Sequence, residues 1–166
     1  MATSKRHNAL GQSSVEPLNP RAARAAALDA LARRDLASED LRRKLLEKGY
    51  DSVVVAPLIE ALRAEKLVDD RRYAENFVTY HAARGQGPAR VRLGLRQKGL
   101  QSELVEECLA AYPDWMLQLR EVQQKKFGAG QPSNYPEKQR QAKFLTYRGF
   151  TGAQIRSALG FDVELD

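Results

Sequence analysis

The segment RQKGLQS, Arg96 to Ser102, places a basic residue before a glycine and a large apolar residue after it, and then a polar residue opens a new stretch. LEKGYDS, Leu46 to Ser52, and TYRGFTG, Thr146 to Gly152, repeat the pattern, so Gly49, Gly99 and Gly149 stand fifty residues apart. Working outward at the same step, Leu45, Leu95 and Leu145 fall in register, as do Tyr50, Leu100 and Phe150, then Val55, Val105 and Ile155, and then Ile59, Leu109 and Leu159. Ala27, Phe77 and Phe127 align upstream. Apolar columns at one fixed period are the mark of an internal structural repeat.

Within each copy the period is helical. Val91, Gly94, Leu95 and Lys98 share one face, and Leu104, Val105, Cys108, Leu109 and Tyr112 form the next apolar set, with no strand-type alternation. Each glycine then reads as the corner between two helices, because a residue just past a helix end needs positive φ and glycine adopts it without steric cost. Lys48, Lys98 and Arg148 precede the glycines, where a cation meets the negative end of the helix dipole. Ser52, Ser102 and Thr151 are expected to cap the helices that follow.

A further helix precedes each corner helix, over about residues 21–34, 70–84 and 114–127. Ser38 is expected to cap the second helix of unit one, and Gly87-Pro88 and Pro136 to open those of units two and three. Pro57 predicts a late start or a kink in the third helix of unit one. Asp69 and Asp70 read as capping carboxylates at the start of the helix that contains Arg71. The expected fold is all-α: an elongated, curved array of three tandem three-helix repeats at 21–69, 70–113 and 114–166, after a flexible tail over 1–20.

Composition narrows the function. The chain has 166 residues, 43% of them hydrophobic, which suits a small domain or a short array. Neither an apolar leader nor a membrane-length apolar run occurs, and a single cysteine excludes an intrachain disulfide, so a cytoplasmic protein is expected. Cys108 reads as a small buried hydrophobe, and His81 as a partly exposed helix residue. There is no phosphate-cradling glycine loop, no metal-ligand spacing and no nucleophile with a base, so no catalytic residue, metal or cofactor is assigned.

The net charge is +6, and its distribution is the stronger signal. Asn76 to Ser102 contains no acid but carries Arg84, Arg90, Arg92, Arg96 and Lys98; Lys138 to Phe161 is also acid-free and includes Arg140, Lys143 and Arg148. Arg42 and Arg43 occupy the related stretch of unit one, beside Asp40 and Glu47. If the repeats curve, these ten cations are the candidate partner-binding residues, drawn to a polyanion or an acidic protein surface. Phe77, Phe127, Phe144, Phe150 and Trp115 occupy apolar-periodic or capping positions and are expected in the core rather than as stacking platforms.

Four blocks carry a family resemblance: RDLASEDLRRKLLEKGY (Arg34 to Tyr50), LVDDRRYAENFV (Leu67 to Val78), GPARVRLGLRQKGL (Gly87 to Leu100) and KFLTYRGF (Lys143 to Phe150). In this order and spacing they resemble the RecX family of bacterial regulatory proteins over about Arg24 to Leu159. The resemblance implies a non-enzymatic monomer that lodges in the groove of the RecA filament on single-stranded DNA. It further implies that the protein opposes filament growth and suppresses ATP hydrolysis, strand exchange and co-protease activity in the SOS response. Gln86 departs from the family pattern, in which a basic residue commonly precedes the Gly-Pro step. The alternative from the residues alone is a helical-repeat protein that binds DNA directly, without RecA, since a helix, a glycine turn and a second helix also suit that task.

Overall fold

The computed structural model describes residues 15–160. Among them are nine helices and no strand: α1 (Pro20–Arg33), α2 (Ser38–Glu47), α3 (Ser52–Ala64), α4 (Asp70–Ala83), α5 (Pro88–Gln97), α6 (Ser102–Ala111), α7 (Trp115–Phe127), α8 (Tyr135–Arg148) and α9 (Gly152–Leu159). They form three bundles in chain order, α1–α3, α4–α6 and α7–α9, and helix-to-helix packing is concentrated inside each bundle. Lys5, Arg6 and most of the expected tail lie outside the described residues.

Each bundle has its own core, built from the aligned columns. Leu45, Leu95 and Leu145 are buried in the first, second and third cores, and so are Val55, Val105 and Ile155. Among the described residues the third core contains fewer apolar residues and one polar pair: the Gln123 side-chain amide donates to the Gln141 carbonyl oxygen at 2.8 Å, with both residues buried. A satisfied amide pair avoids the penalty of an orphaned buried polar group.

The three corner glycines have φ of +100° at Gly49, +79° at Gly99 and +92° at Gly149. Thr151 caps α9 in a reciprocal capping box with Gln154. Ser52 and Ser102 do not cap, since each is already the first helical residue. Asp51 accepts from the Val53 N–H in the first case, and Gln101 flanks the helix without a side-chain bond in the second. Nor does Pro57 delay or break α3. It sits inside the helix on the exposed side, so the Val53 carbonyl it deprives of a donor can face water.

The bundles meet at two seams of the same design, each joining the start of one unit's second helix to the glycine corner of the next unit. At the first seam, Ala37 packs into the second core, the Glu39 side chain covers Gly99, and Arg43 donates to the Gln97 carbonyl at 2.9 Å. Asp40 accepts from Lys98 at 2.9 Å and from Arg43 at 2.7 Å. Ser38 does not cap α2 through its own side chain. Its N–H and hydroxyl donate to the two oxygens of Asp70, at 2.7 and 2.6 Å, so a carboxylate of the second unit caps a helix of the first. Asp69 alone caps α4, accepting from the Arg72 N–H.

The second seam is made of backbone. Gly87 N–H donates to the Arg148 carbonyl at 2.8 Å and Ala89 N–H to the Gly149 carbonyl at 2.9 Å, so the free donors at the start of α5 satisfy free acceptors at the end of α8. A Cβ on Gly87 would overlap backbone atoms of Gly149 and Phe150, and one on Gly149 would overlap Arg90.

Candidate partner-binding surface

The ten candidate cations separate into three groups once the fold is known. Arg42, Arg43, Arg92, Arg96, Lys98 and Arg140 all have carboxylate partners. Arg42 grips Glu39 with two hydrogen bonds, at 2.8 and 2.6 Å, and those bonds hold the Glu39 carboxyl below its ordinary range. Arg43 and Lys98 share Asp40 within the first seam. Arg92 makes two bonds to Glu106, at 2.7 and 2.9 Å, while Arg96 stands 3.6 Å from the same carboxylate. Arg140 pairs with Glu137 at 2.9 Å and lies over the Phe127 ring.

Arg84, Arg90 and Arg148 form the second group, held in place with no carboxylate partner among the described residues. Arg84 lies over the Tyr80 ring, 5.3 Å from its centroid, and donates to the Tyr80 hydroxyl at 3.1 Å. Arg90 covers the Tyr147 ring at 5.2 Å and donates to the Tyr147 carbonyl at 3.0 Å, across the second seam. Arg148 lies 5.2 Å from the Phe144 ring centroid and points a nitrogen at the Arg84 carbonyl, 3.4 Å away. Ring faces and carbonyl dipoles orient a guanidinium while leaving its full charge. Lys143, the tenth cation, is exposed one turn before Tyr147 on α8 and has no carboxylate partner among the described residues.

Among the ten candidates, the unneutralised charge therefore gathers around the second seam. His81 lies within it, its ring 4.0 Å from that of Phe77 and its Nδ1 3.0 Å from the Gln86 side-chain oxygen. Burial first, and then Arg84 and Arg90, push the His81 imidazole below its ordinary value against the opposing Gln86 contact, so it is neutral at neutral pH. Gln86, at the position that departs from the pattern, thus serves as a partner for His81. Cys108 is buried, as expected, and burial raises its thiol.

Two features of this surface were not anticipated. Phe150 is buried and Phe77, Phe127, Phe144 and Trp115 are half-buried, but Tyr80 is 57% exposed and Tyr147 72% exposed, each beneath an arginine. Lys125 and Lys126, in the last turn of α7, face Arg84 and Arg148 across a cleft. The Lys-Lys pair before Phe127 was the available signal, but what brings it opposite Arg84 is the seam, which no local pattern encodes.

Glu106 is what removes Arg92 and Arg96 from the free charge. Glu106→Gln is expected to cost under about 1 kcal/mol, the usual scale for a half-exposed ion pair, and to make binding to a polyanion more salt-dependent. Urea unfolding and binding to heparin resin measure the two effects. Elution at unchanged salt would show that these arginines lie off the contact surface.

Among the described residues no helix is long and apolar enough to cross a membrane, and no group of three or more His, Cys, Asp or Glu residues could hold a metal ion. The chain matches three family models in order: "RecX, first three-helix domain" over residues 23–62, "RecX, second three-helix domain" over 69–109 and "RecX, third three-helix domain" over 118–159. It is 46% identical over 138 residues to "Regulatory protein RecX" of Halorhodospira halophila (strain DSM 244 / SL1), covering 82% of this chain and 86% of that protein. It is 39% identical over 134 residues to the protein of the same name from Ectopseudomonas mendocina (strain ymp), covering 80% and 89%. The crystal structure of RecX from Lactobacillus salivarius superposes with a TM-score of 0.75 at 20% identity, covering 84% of this chain and 93% of that one. A second crystal structure, of "regulatory protein RecX", gives 0.71 at 24% identity, covering 84% and 70%. At these identities the two structures speak for the fold alone.

Proposed function

The chain belongs to the RecX family of regulatory proteins, and from that premise we propose that it binds the RecA recombinase, chiefly as its filament on single-stranded DNA. Bound there it acts stoichiometrically rather than catalytically, as a cytoplasmic monomer without cofactor. It bridges neighbouring protomers along a bowed array, opposing filament growth, and it suppresses ATP hydrolysis, strand exchange and the co-protease activity of the SOS response.

The observation that carries this reading is the second seam, where Arg84, Arg90 and Arg148 are oriented and Lys143 is exposed, all four without carboxylate partners among the described residues. An acidic partner would supply the missing counter-charges and gain both approach rate and register. The backbone hydrogen bonds of that seam keep the cations of two units in one geometry, so they can engage a repeating surface together.

The test is RecA's single-strand-dependent ATPase on preformed filaments. The chain added below stoichiometric amounts is expected to slow ATP turnover, and Arg84→Glu with Lys143→Glu to weaken that inhibition about tenfold or more. Neither residue has a carboxylate partner among the described residues, so far-UV circular dichroism should be unchanged. Full inhibition by the double variant would remove this surface from the contact.

A second reading, direct binding of single-stranded DNA, draws on the exposed Tyr80 and Tyr147 beside Arg84 and Arg90, since rings and cations together hold single strands. Filter binding at moderate salt separates the two. Naked DNA bound as tightly as RecA-coated DNA favours the second, whereas weak binding that falls steeply with salt favours the first.

A further inference from the structure

The α4 terminus and helices α7 and α8 line an open cleft of about 440 Å³ at the second seam. Four cations line it, Arg84, Lys125, Lys126 and Arg148, against one carboxylate, Glu121. We propose that this cleft binds a compact polyphosphate, either inorganic or the tail of a nucleoside triphosphate, independently of any contact with RecA.

Three observations carry the assignment. The first is charge. Four like charges around one cavity repel one another unless a polyanion enters, and the cleft's excess over Glu121 matches the several charges of a triphosphate. The second is organisation. The Arg148 and Arg84 guanidiniums are fixed by the Phe144 and Tyr80 rings and by a backbone carbonyl, so they present forked donors suited to phosphate oxygens, while the two lysines add mobile point charges.

The third is shape. Unit one has the corresponding groove between α1 and α2, about 330 Å³, with Arg33, Arg34, Lys44 and Lys48 in its lining. There Arg33 is paired with Asp29 at 2.8 Å, and the lining comes from that unit alone. In unit three, residues 83–85 of the preceding unit add a further wall, with Gly85 turning at φ +78° against Val122. A single pocket of this size suits one small ligand. A nucleic-acid strand, in contrast, spreads one charge per nucleotide along its length and could place few of them inside.

The experiment is calorimetric titration of the full chain with sodium tripolyphosphate, and separately with ATP, at constant ionic strength. The expected result is saturable binding at one site, weakened about tenfold or more by Lys125→Ala with Lys126→Ala and changed less than about twofold by Lys44→Ala with Lys48→Ala. All four lysines are exposed, and circular dichroism of the same samples confirms the fold. Absence of saturable binding, or equal loss in both variants, overturns the proposal. So does displacement of tripolyphosphate by poly-glutamate at equal charge, which would make the cleft a seat for an acidic peptide. Displacement by oligo(dT) at lower charge overturns it in favour of a phosphodiester strand. RecA is absent from every arm, so the result stands or falls apart from the proposed regulatory role.

Discussion

Gly87→Ala is expected to loosen the third bundle from the second, costing about 2–5 kcal/mol or splitting the urea transition in two. The cause is not backbone strain, since Gly87 has φ −83° and ψ 170°, an extended conformation open to any residue. An added Cβ would instead overlap the Phe150 nitrogen and the Gly149 carbonyl, which are backbone atoms of another bundle and cannot move aside by changing rotamer. Relieving the overlap separates the Gly87 and Ala89 N–H groups from their acceptors at 2.8 and 2.9 Å. Gly49→Ala is the comparison, because that site has φ +100° and, among the described residues, only Val15 nearby, at 3.8 Å. Its cost is the left-handed conformation alone, about 1–2 kcal/mol. Trp115, the only tryptophan, donates to the Leu109 carbonyl at the boundary of the two bundles, so its fluorescence reports on that boundary during the titration. A Gly87→Ala loss no larger than that of Gly49→Ala would refute the account.

Asp70→Ala should cost about 2–4 kcal/mol and remove part of the protein's acid sensitivity. The Asp70 side chain is 19% exposed and accepts three hydrogen bonds, from the Ser38 N–H, the Ser38 hydroxyl and Arg63, the last at 2.8 Å. Removing it leaves the α2 N-terminus uncapped and Arg63 without its closest carboxylate. Burial by itself would raise the Asp70 carboxyl, but the bonds from Ser38 and Arg63 outweigh it and hold the group below its ordinary value. The unfolded state thus takes up this proton first. The stabilisation is complete above about pH 4, the unfolded value, and is lost as pH falls through the lower folded one. Unfolding curves at pH 5 and pH 3 should therefore show the gap between wild type and Asp70→Ala narrowing with acid. A gap that stays constant would mean that the carboxylate does not carry its charge in the fold.

The cores were legible in the sequence because helical packing is local. Leu45, Leu95 and Leu145 are buried wherever the fifty-residue step placed them, and Gly49, Gly99 and Gly149 turn as corner residues must. Caps were harder to assign, since a shift of one residue leaves every apolar column intact: Asp51 took the role expected of Ser52. Charge was the least legible, because a run without acids in the chain is not a surface without acids. Arg92 and Arg96 lie in such a run, yet Glu106, on the neighbouring helix of the same bundle, neutralises them. The second task of Gly99 and Gly149, leaving room for the preceding unit, was equally hidden. The side chains that press on them, Glu39 and Arg90, are about sixty residues away.

The first corner is covered instead by the segment that leads into α1: Val15 lies over Gly49, and the Pro17 carbonyl accepts from the Asp51 N–H at 2.9 Å. A head-to-tail mode of joining is open-ended by nature, since a socket left vacant on one molecule could receive the leading helix of another and seed a fibre. Residues 15–17 cover that socket here, where it would otherwise be open to the leading helix of a second copy.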